Sequence, residues 1–322
     1  MEVFEGVDFV RLRSGRAYVH AAEDGRSVCL DRRRASHSAV WAVTPRFYPS
    51  SGTPCVLLRG AYGRYLGAPD AAAGGSLCPL STPCRAAKQR DFDKPDIPAI
   101  MWRAVATSRP GVFLLHDASG RYLRTNPRWL LPCRAGVAVS SCDGLGRAIQ
   151  WAVEPVPRAG RPDLPIGRDS ECGEFFARIC PPLSRLCGRW FSLEREIRWR
   201  RADGNGAFGE DNWAELRYTG RATILLKTQL VNLLPPNLYR RYTLCVRAGR
   251  YGQPTPLAVN LPRSREPLHI VLFGGNTAVL DSEIVDGAIL CPLSACSSDN
   301  QLIYPDVNAV AGAAAIVEEP VL

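Results

Sequence analysis

The sequence predicts a mainly β protein, in which an N-terminal β-trefoil is followed by a small α+β domain. Two observations carry this prediction. A stretch with an apolar start, a leucine, a turn with Gly-Arg, a tyrosine and an aliphatic residue occurs three times, beginning at Val10, Val56 and Phe113. Further along, residues 195–273 combine alternating apolar segments with one segment of helical spacing.

Each repeat is interpreted as two strands joined by a tight turn, with a later strand led by tryptophan. Glycine at 15, 63 and 120 suits a turn that requires positive φ. Three four-stranded units together close a barrel, and the repeated leucine, tyrosine and tryptophan side chains then form its core layers. The predicted core residues are Leu12, Tyr18, Trp41, Leu58, Tyr65, Trp102, Leu115, Tyr122 and Trp151.

The repeats differ in two places. The alignment puts His116 where the other copies carry Arg13 and Arg59, so we expect His116 at an exposed strand position. The second copy contains a long insert, residues 79–99, whose prolines and mixed charge favour a mobile loop.

The chain divides into a trefoil at 1–157, a linker at 158–194, a ubiquitin-like domain at 195–273 and a flexible tail at 274–322. A short helix around 174–179 is one interpretation within the linker. The second domain reads as ββαβββ, an α+β roll with one packed helix. Its strands are predicted at 195–202, 213–218, 242–247, 257–261 and 268–273, and its helix at 222–234.

The net charge of +9 is concentrated in the trefoil, where residues 1–157 hold 21 basic and 13 acidic side chains. A positive field favours a polyanionic partner. Because 37 of the 40 basic residues are arginine, a coding bias is an equally open explanation. The candidate binding residues are a basic run together with arginines between the predicted core layers: Arg32, Arg33 and Arg34, with Arg13, Arg16, Arg59, Arg64, Arg121 and Arg124.

Motifs that carry catalysis or metal binding are not found in the sequence. The four histidines lack metal-ligand spacing, and the twelve cysteines form no C-x-x-C pair. There is no G-x-S-x-G elbow and no P-loop. We therefore expect no catalytic residues, no metal site and no cofactor. No nucleic-acid-binding motif appears, so a nucleic-acid partner is not expected.

Two further features concern localisation. No apolar run approaches the roughly 20 residues of a membrane span. The acidic N-terminus differs from a signal peptide, so we expect the cytoplasm, with the nucleus as the alternative.

Several motifs resemble the plant domain-of-unknown-function 569 family. They are Phe9-Val10-Arg11-Leu12-Arg13-Ser14, Tyr18-Val19, Glu23-Asp24-Gly25, Ala39-Val40-Trp41 and Tyr62-Gly63-Arg64-Tyr65-Leu66. The block 195–273 resembles the family's smaller C-terminal module. The family's trefoil is similar to fascin-type actin-crosslinking proteins, which implies a non-enzymatic scaffold and actin filaments as a partner.

The expected function is therefore a binding or scaffold protein that contacts an unidentified protein or polyanion, with actin filaments as one candidate. The alternative is a carbohydrate-binding trefoil. The Gln-x-Trp signature of ricin-type trefoils is absent, but sugars stack on aromatic rings, and Tyr62 and Trp129 are available for this in the sequence.

Overall fold

The computed structural model describes most of both predicted domains. The described residues are 2–48, 51–69, 85–93, 97–106, 111–116, 119–125, 136–140, 146–157, 194–203, 206–209, 212–235 and 242–274. The predictions of a linker with a short helix and of a flexible tail therefore lie outside the described residues, except at Glu194 and Gly274.

The N-terminal domain is a β-trefoil, as predicted. Its described strands are β1 (Phe9–Ser14), β2 (Ala17–Ala21), β3 (Val28–Asp31), β4 (Trp41–Phe47), β5 (Pro54–Arg59), β6 (Tyr65–Gly67), β7 (Arg85–Ala86), β8 (Lys88–Arg90), β9 (Arg103–Ala106), β10 (Val112–His116), β11 (Arg121–Thr125), β12 (Val137–Ser140) and β13 (Gln150–Pro155). Short 3-10 turns span Glu2–Phe4, His37–Ala39, Ile97–Ile100 and Gly146–Ile149. Strand β1 joins the first and last repeats by pairing with both β4 and β13.

Each core tryptophan is held by the same hydrogen bond, and all three indoles are fully buried. The indole N–H donates to the carbonyl of the residue that follows the tyrosine of its own repeat. The bonds run from Trp41 Nε1 to Val19 O (3.0 Å), from Trp102 Nε1 to Leu66 O (2.8 Å) and from Trp151 Nε1 to Leu123 O (3.0 Å). In every repeat the segment that carries the tryptophan is thereby tied to the second strand.

Backbone register shows which leucines are equivalent. The tryptophan of each repeat faces a valine: Val10 with Trp41, Val56 with Trp102 and Val112 with Trp151. Counting from these valines, the equivalent of Leu12 and Leu58 is Leu114, which is completely buried like them. Leu115, the predicted core residue, is also buried but lies one residue further along.

The expectation of an exposed His116 is wrong. Its side chain is buried, and its ring nitrogens lie 3.0 Å from Pro98 O and 2.6 Å from Ser119 Oγ. The valine-to-tyrosine spacing grows by one residue in each successive repeat, so an alignment on the turn shifts the third repeat by one position. The true equivalent of Arg13 and Arg59 is Leu115. Exposure was also the wrong inference for this position, because Arg59 and Leu115 are both buried.

The predicted turn glycines are confirmed. Gly15, Gly63 and Gly120 adopt φ of +60°, +73° and +61°, the left-handed region that other residues avoid. Most of the predicted core is buried as well, whereas Tyr122 is half-buried and packs edge-on against Phe113, with ring centroids 5.9 Å apart.

The insert in the second repeat is not a loop throughout. Its described part contains β7 and β8, and β8 pairs with β6 to complete the second repeat. Gln89 is buried, and its side-chain amide donates to Ser27 O at 2.7 Å. The short strand was hidden in the sequence because charged residues occupy most of its positions.

The C-terminal domain has the predicted ubiquitin-like fold. Its elements are β14 (Glu194–Arg201), β15 (Ala214–Thr219), helix α1 (Thr223–Asn232), β16 (Tyr242–Arg247), β17 (Thr255–Pro256) and β18 (Leu268–Gly274). The sheet order is β15-β14-β18-β16-β17, with the central pair β14 and β18 parallel. Leu226 and Leu230 of α1 are fully buried.

The predicted strand at 257–261 is wrong. Only the two preceding residues pair with β16. Leu257 still donates its N–H to Leu244 O, but the N–H of Leu261 donates to Arg221 O at 2.8 Å. The chain therefore leaves the sheet and crosses toward the start of α1, with both leucines buried.

We predict that Trp102→Phe lowers the free energy of unfolding by about 2–4 kcal/mol. The change leaves the buried Leu66 carbonyl without its donor and opens a cavity. Equilibrium denaturation measures the loss, and Trp41→Phe and Trp151→Phe should give similar values. Trp199→Phe, at a half-buried site in the second domain, is the control. Equal losses at Trp199 and Trp102 would contradict the assigned role.

Candidate functional site

The predicted basic residues separate into two groups in the structure. Arg13 on β1 and Arg33 and Arg34 after β3 are brought together by strand pairing and ion pairs, and Arg16 and Arg32 are exposed next to them along the chain. We name these five arginines the basic surface. Arg59 and Arg64 instead contact the C-terminal domain.

Two carboxylates organise the basic surface. Glu154 accepts from Arg13 Nε at 2.5 Å and from Arg34 Nε at 3.3 Å. Asp31 pairs with Arg33, with Nη2 and Oδ2 2.8 Å apart, and this hydrogen bond is the largest cause of a lowered pKa of Asp31. The guanidinium groups are thus ordered by acids of the same surface.

Strand pairing brings these side chains together. Arg13 on β1 faces Tyr18 on β2, and Tyr18 faces Asp31 on β3. Arg16 lies in the exposed turn between β1 and β2. The side chains of Arg33 and Arg34 remain 71% and 65% exposed, so their ion pairs leave them accessible to a ligand.

Arg11 lies behind the basic surface and was not among the predicted site residues. It is 7% exposed, and its Nε has no hydrogen-bond partner. Burial, and next the positive charge of Arg34, lower its pKa. The sequence pattern did not identify Arg11 as a core or site residue, because an arginine interrupts the apolar alternation and is not expected to be buried.

Arg59 and Arg64 are used inside the molecule. Arg59 is buried, and its Nη1 donates to Gln253 Oε1 at 3.1 Å. Arg64 Nε donates to Asp91 at 2.8 Å, and its Nη1 donates to Glu266 at 2.7 Å. These two arginines therefore join the domains and are not open to a ligand.

The two remaining candidates are also apart from the basic surface. Arg121 is half-buried on β11 in the third repeat. Arg124 is buried and donates to Thr125 O at 3.3 Å and Ser140 Oγ at 3.4 Å. Arg124 therefore stabilises the barrel wall.

Two glutamates carry most of the interdomain ion pairs. Glu23 of the trefoil lies 3.3 Å from Arg221 and 3.2 Å from Arg263. Glu266 of the second domain binds Arg26 and Arg64. Although partial burial opposes ionisation of Glu266, the hydrogen bonds from these two arginines keep its pKa below the usual value. Sequence reasoning missed both glutamates, because their partners lie about 200 residues away.

Backbone hydrogen bonds reinforce the interdomain contact. Phe92 N donates to Ala248 O at 3.0 Å, and Tyr251 N donates to Phe92 O at 2.9 Å. The ring of Phe92 packs between Tyr65 and Tyr251. The described end of the second-repeat insert thus docks the ubiquitin-like domain.

An open cleft of about 770 Å³ lies where the two domains meet. Acidic and basic side chains both line it, including Asp91, Arg198, Arg247 and His269. In the described part of the chain, no group of three or more His, Cys, Asp or Glu residues could hold a metal ion. The described helices include none that is long and apolar enough to span a membrane.

The aromatic candidates for sugar stacking are not on an open surface where they are described. Tyr62 is 4% exposed at the domain boundary, and burial raises its pKa to about 12. Trp129 lies outside the described residues.

We predict that Gly25→Ala separates the domains more than Gly15→Ala does. Both glycines have left-handed φ, so both changes strain the backbone by a similar amount. A Cβ at Gly25 would lie 2.8 Å from Pro262 Cβ, whereas nothing lies within 4 Å of a Cβ at Gly15. The N–H groups of Tyr251 and Arg263 donate to carbonyls of the trefoil. Gly25→Ala should therefore increase the exchange of these two amides severalfold more than Gly15→Ala does. Equal effects of the two changes would contradict a tight interface.

We predict that trefoil stability falls below pH 6.5. His20 is 2% exposed, and burial lowers its pKa to about 4 in the folded state. The unfolded chain therefore binds more protons between about pH 4 and 6.5, so stability is complete above this window and declines on acidification by up to about 3 kcal/mol. Denaturation at pH 5 and pH 7.5 measures it, and His20→Gln should reduce the difference. An unchanged difference in His20→Gln would show that other groups cause it.

Comparisons with known proteins agree with both domains. Residues 1–95 match the model of the beta-trefoil domain of unknown function DUF569, and residues 193–273 match that of the DUF569-associated ubiquitin-like domain. The search of curated proteins gave no match.

Several solved structures match 46% of the chain at low sequence identity. They include the designed threefold symmetric protein ThreeFoil (15% identity, 98% of that chain, TM-score 0.35), the cytolethal distending toxin from Actinobacillus actinomycetemcomitans (16%, 91%, 0.35) and the ricin B-like lectin of Macrolepiota procera in complex with lactose (12%, 94%, 0.34). The two family matches agree with the resemblance of the motifs in residues 9–66 and of the block 195–273, and with the folds observed for the two domains. The chain therefore combines a DUF569 beta-trefoil domain with a DUF569-associated ubiquitin-like domain.

Proposed function

We propose that the chain is a non-catalytic binding protein that holds an acidic protein surface through the basic surface of its trefoil. One observation carries the proposal: Arg13, Arg33 and Arg34 are held by two carboxylates, Asp31 and Glu154, and Arg16 and Arg32 are exposed next to them along the chain. The local excess is three positive charges. An acidic partner would relieve it by supplying the missing carboxylates.

The chemistry of arginine suits such a partner. Its planar guanidinium binds a carboxylate through two parallel hydrogen bonds and is weakly hydrated. Arg13 and Arg34 are already oriented by Glu154, which lowers the entropy cost of binding. The buried positive charge of Arg11 adds to the field from below.

Actin filaments are the first partner to test. This choice rests on the resemblance between the family's trefoil and fascin-type actin-crosslinking proteins. A carbohydrate ligand is the weaker alternative, because of the two aromatic residues predicted to stack on a sugar, Tyr62 is buried and Trp129 lies outside the described residues.

We predict that the full chain co-sediments with actin filaments at low salt and that Arg33→Glu/Arg34→Glu reduces its affinity by about tenfold or more. Each reversal replaces attraction by repulsion at an exposed site. Binding should also weaken as salt rises from about 50 to 300 mM, because the Debye length falls below 10 Å.

The matched control is Arg217→Glu, an arginine that is 86% exposed on the other domain. It makes a smaller version of the same change in net charge but leaves the basic surface intact. Absence of co-sedimentation at low salt would exclude actin as the partner. Equal weakening by Arg217→Glu and the double variant, counted per charge, would show that net charge and not this surface drives binding.

A further inference from the structure

Helix α1 presents to solvent an uncharged face, half of whose residues are large and aliphatic. Ile224, Leu225 and Leu233 are 61%, 60% and 55% exposed, although each is a large aliphatic side chain. The exposed residues of the helix and its C-cap, which we name the outer helix face, are Ile224, Leu225, Thr228, Gln229, Asn232 and Leu233. None of them carries a charge.

This face differs from that of an ordinary surface helix. A helix packed on one side of a sheet usually has an apolar stripe toward the core and charged residues outside. In α1, Leu226 and Leu230 fill the core side, and aliphatic side chains continue around to the other side. Three large exposed aliphatic side chains on one ten-residue helix exceed the scattered single residues that are normal on a surface, and such exposure marks a contact site.

The sequence itself supplies an occupant, the segment 275–322 that follows β18. Twenty-six of its 48 residues are apolar, a higher share than the 46% of the whole chain. It also holds seven acidic and no basic residues, whereas residues 194–274 hold 13 basic and seven acidic ones. A segment this apolar has side chains to bury, and its charge complements the domain that precedes it.

Topology brings the segment to the right end of the domain. Gly274, the last residue of β18, pairs with Tyr242, the first residue of β16. Tyr242 in turn follows the end of α1 at Asn232 by ten residues. The segment therefore leaves the sheet at the end where the chain from α1 enters it. Helix α1, with ten residues, is about 15 Å long, which a few residues of extended chain can span.

We propose that apolar residues of the segment 275–322 pack on the outer helix face of the same molecule. Val279, Leu280, Ile284 and Val285 are the first aliphatic pairs after β18 and reach the face with the shortest connection. This contact is independent of ligand binding by the trefoil.

Hydrogen exchange on the full chain tests the proposal, with amides of residues 275–322 as the readout. In the unaltered protein, part of this segment should be protected from exchange. Ile224→Glu/Leu225→Glu should make exchange of those amides at least about tenfold faster, because the contact is lost. Both positions are exposed, so the domain should stay folded, and unchanged exchange in β14 and β18 would verify it.

Phe47→Glu is the matched control, since Phe47 is an apolar side chain that is 71% exposed on the trefoil. It should leave exchange in 275–322 unchanged. The same measurement at tenfold lower protein concentration separates the occupants: protection that disappears on dilution would indicate a second copy and overturn the proposal. An unprotected segment in the unaltered protein, or equal release by Phe47→Glu, would overturn it too.

Discussion

The hydrogen bond from each tryptophan indole to the second strand of its own repeat is the constraint on which the trefoil depends. Trp41, Trp102 and Trp151 have the largest fully buried side chains, and each must satisfy one polar N–H inside the barrel. A buried donor without an acceptor is costly, so the bond fixes the distance between strands as well as their register. Repeats that share it close into a barrel although their loops differ in length.

This constraint leaves only positions outside the repeated core for the proposed binding function. The repeated leucine, tyrosine and tryptophan side chains belong to the core, and the turn glycines are required by the backbone conformation. The arginines between them have diverged: Arg59 and Arg64 hold the second domain, whereas Arg13 stays on the open surface. One barrel thus uses equivalent hairpins for two purposes, an internal joint in the second repeat and a solvent-facing basic surface in the first.

The fold could be predicted because its signals are local. Repeated motifs, turn glycines and apolar alternation each depend on neighbouring residues, and they gave both domains. Long-range contacts left no such trace. The pairing of Glu23 with Arg221, and of Arg64 with Glu266, joins residues about 200 positions apart, so the sequence offered nine arginines as equal candidates. The shifted third repeat had the same origin, since turn length hid the register that distant Trp151 reveals.

The interdomain contact also changes how the charge of the chain should be understood. Arginines that would add to a diffuse positive field are neutralised where the domains meet, by Glu23, Asp91 and Glu266. The basic surface, where five arginines have two carboxylates, keeps its excess charge. Its geometry is set by β1, β2 and β3, and an ordered cluster of charges can be specific, whereas a diffuse charge attracts any anion. Docking of the second domain therefore removes part of the diffuse charge of the trefoil and leaves the charge of the basic surface.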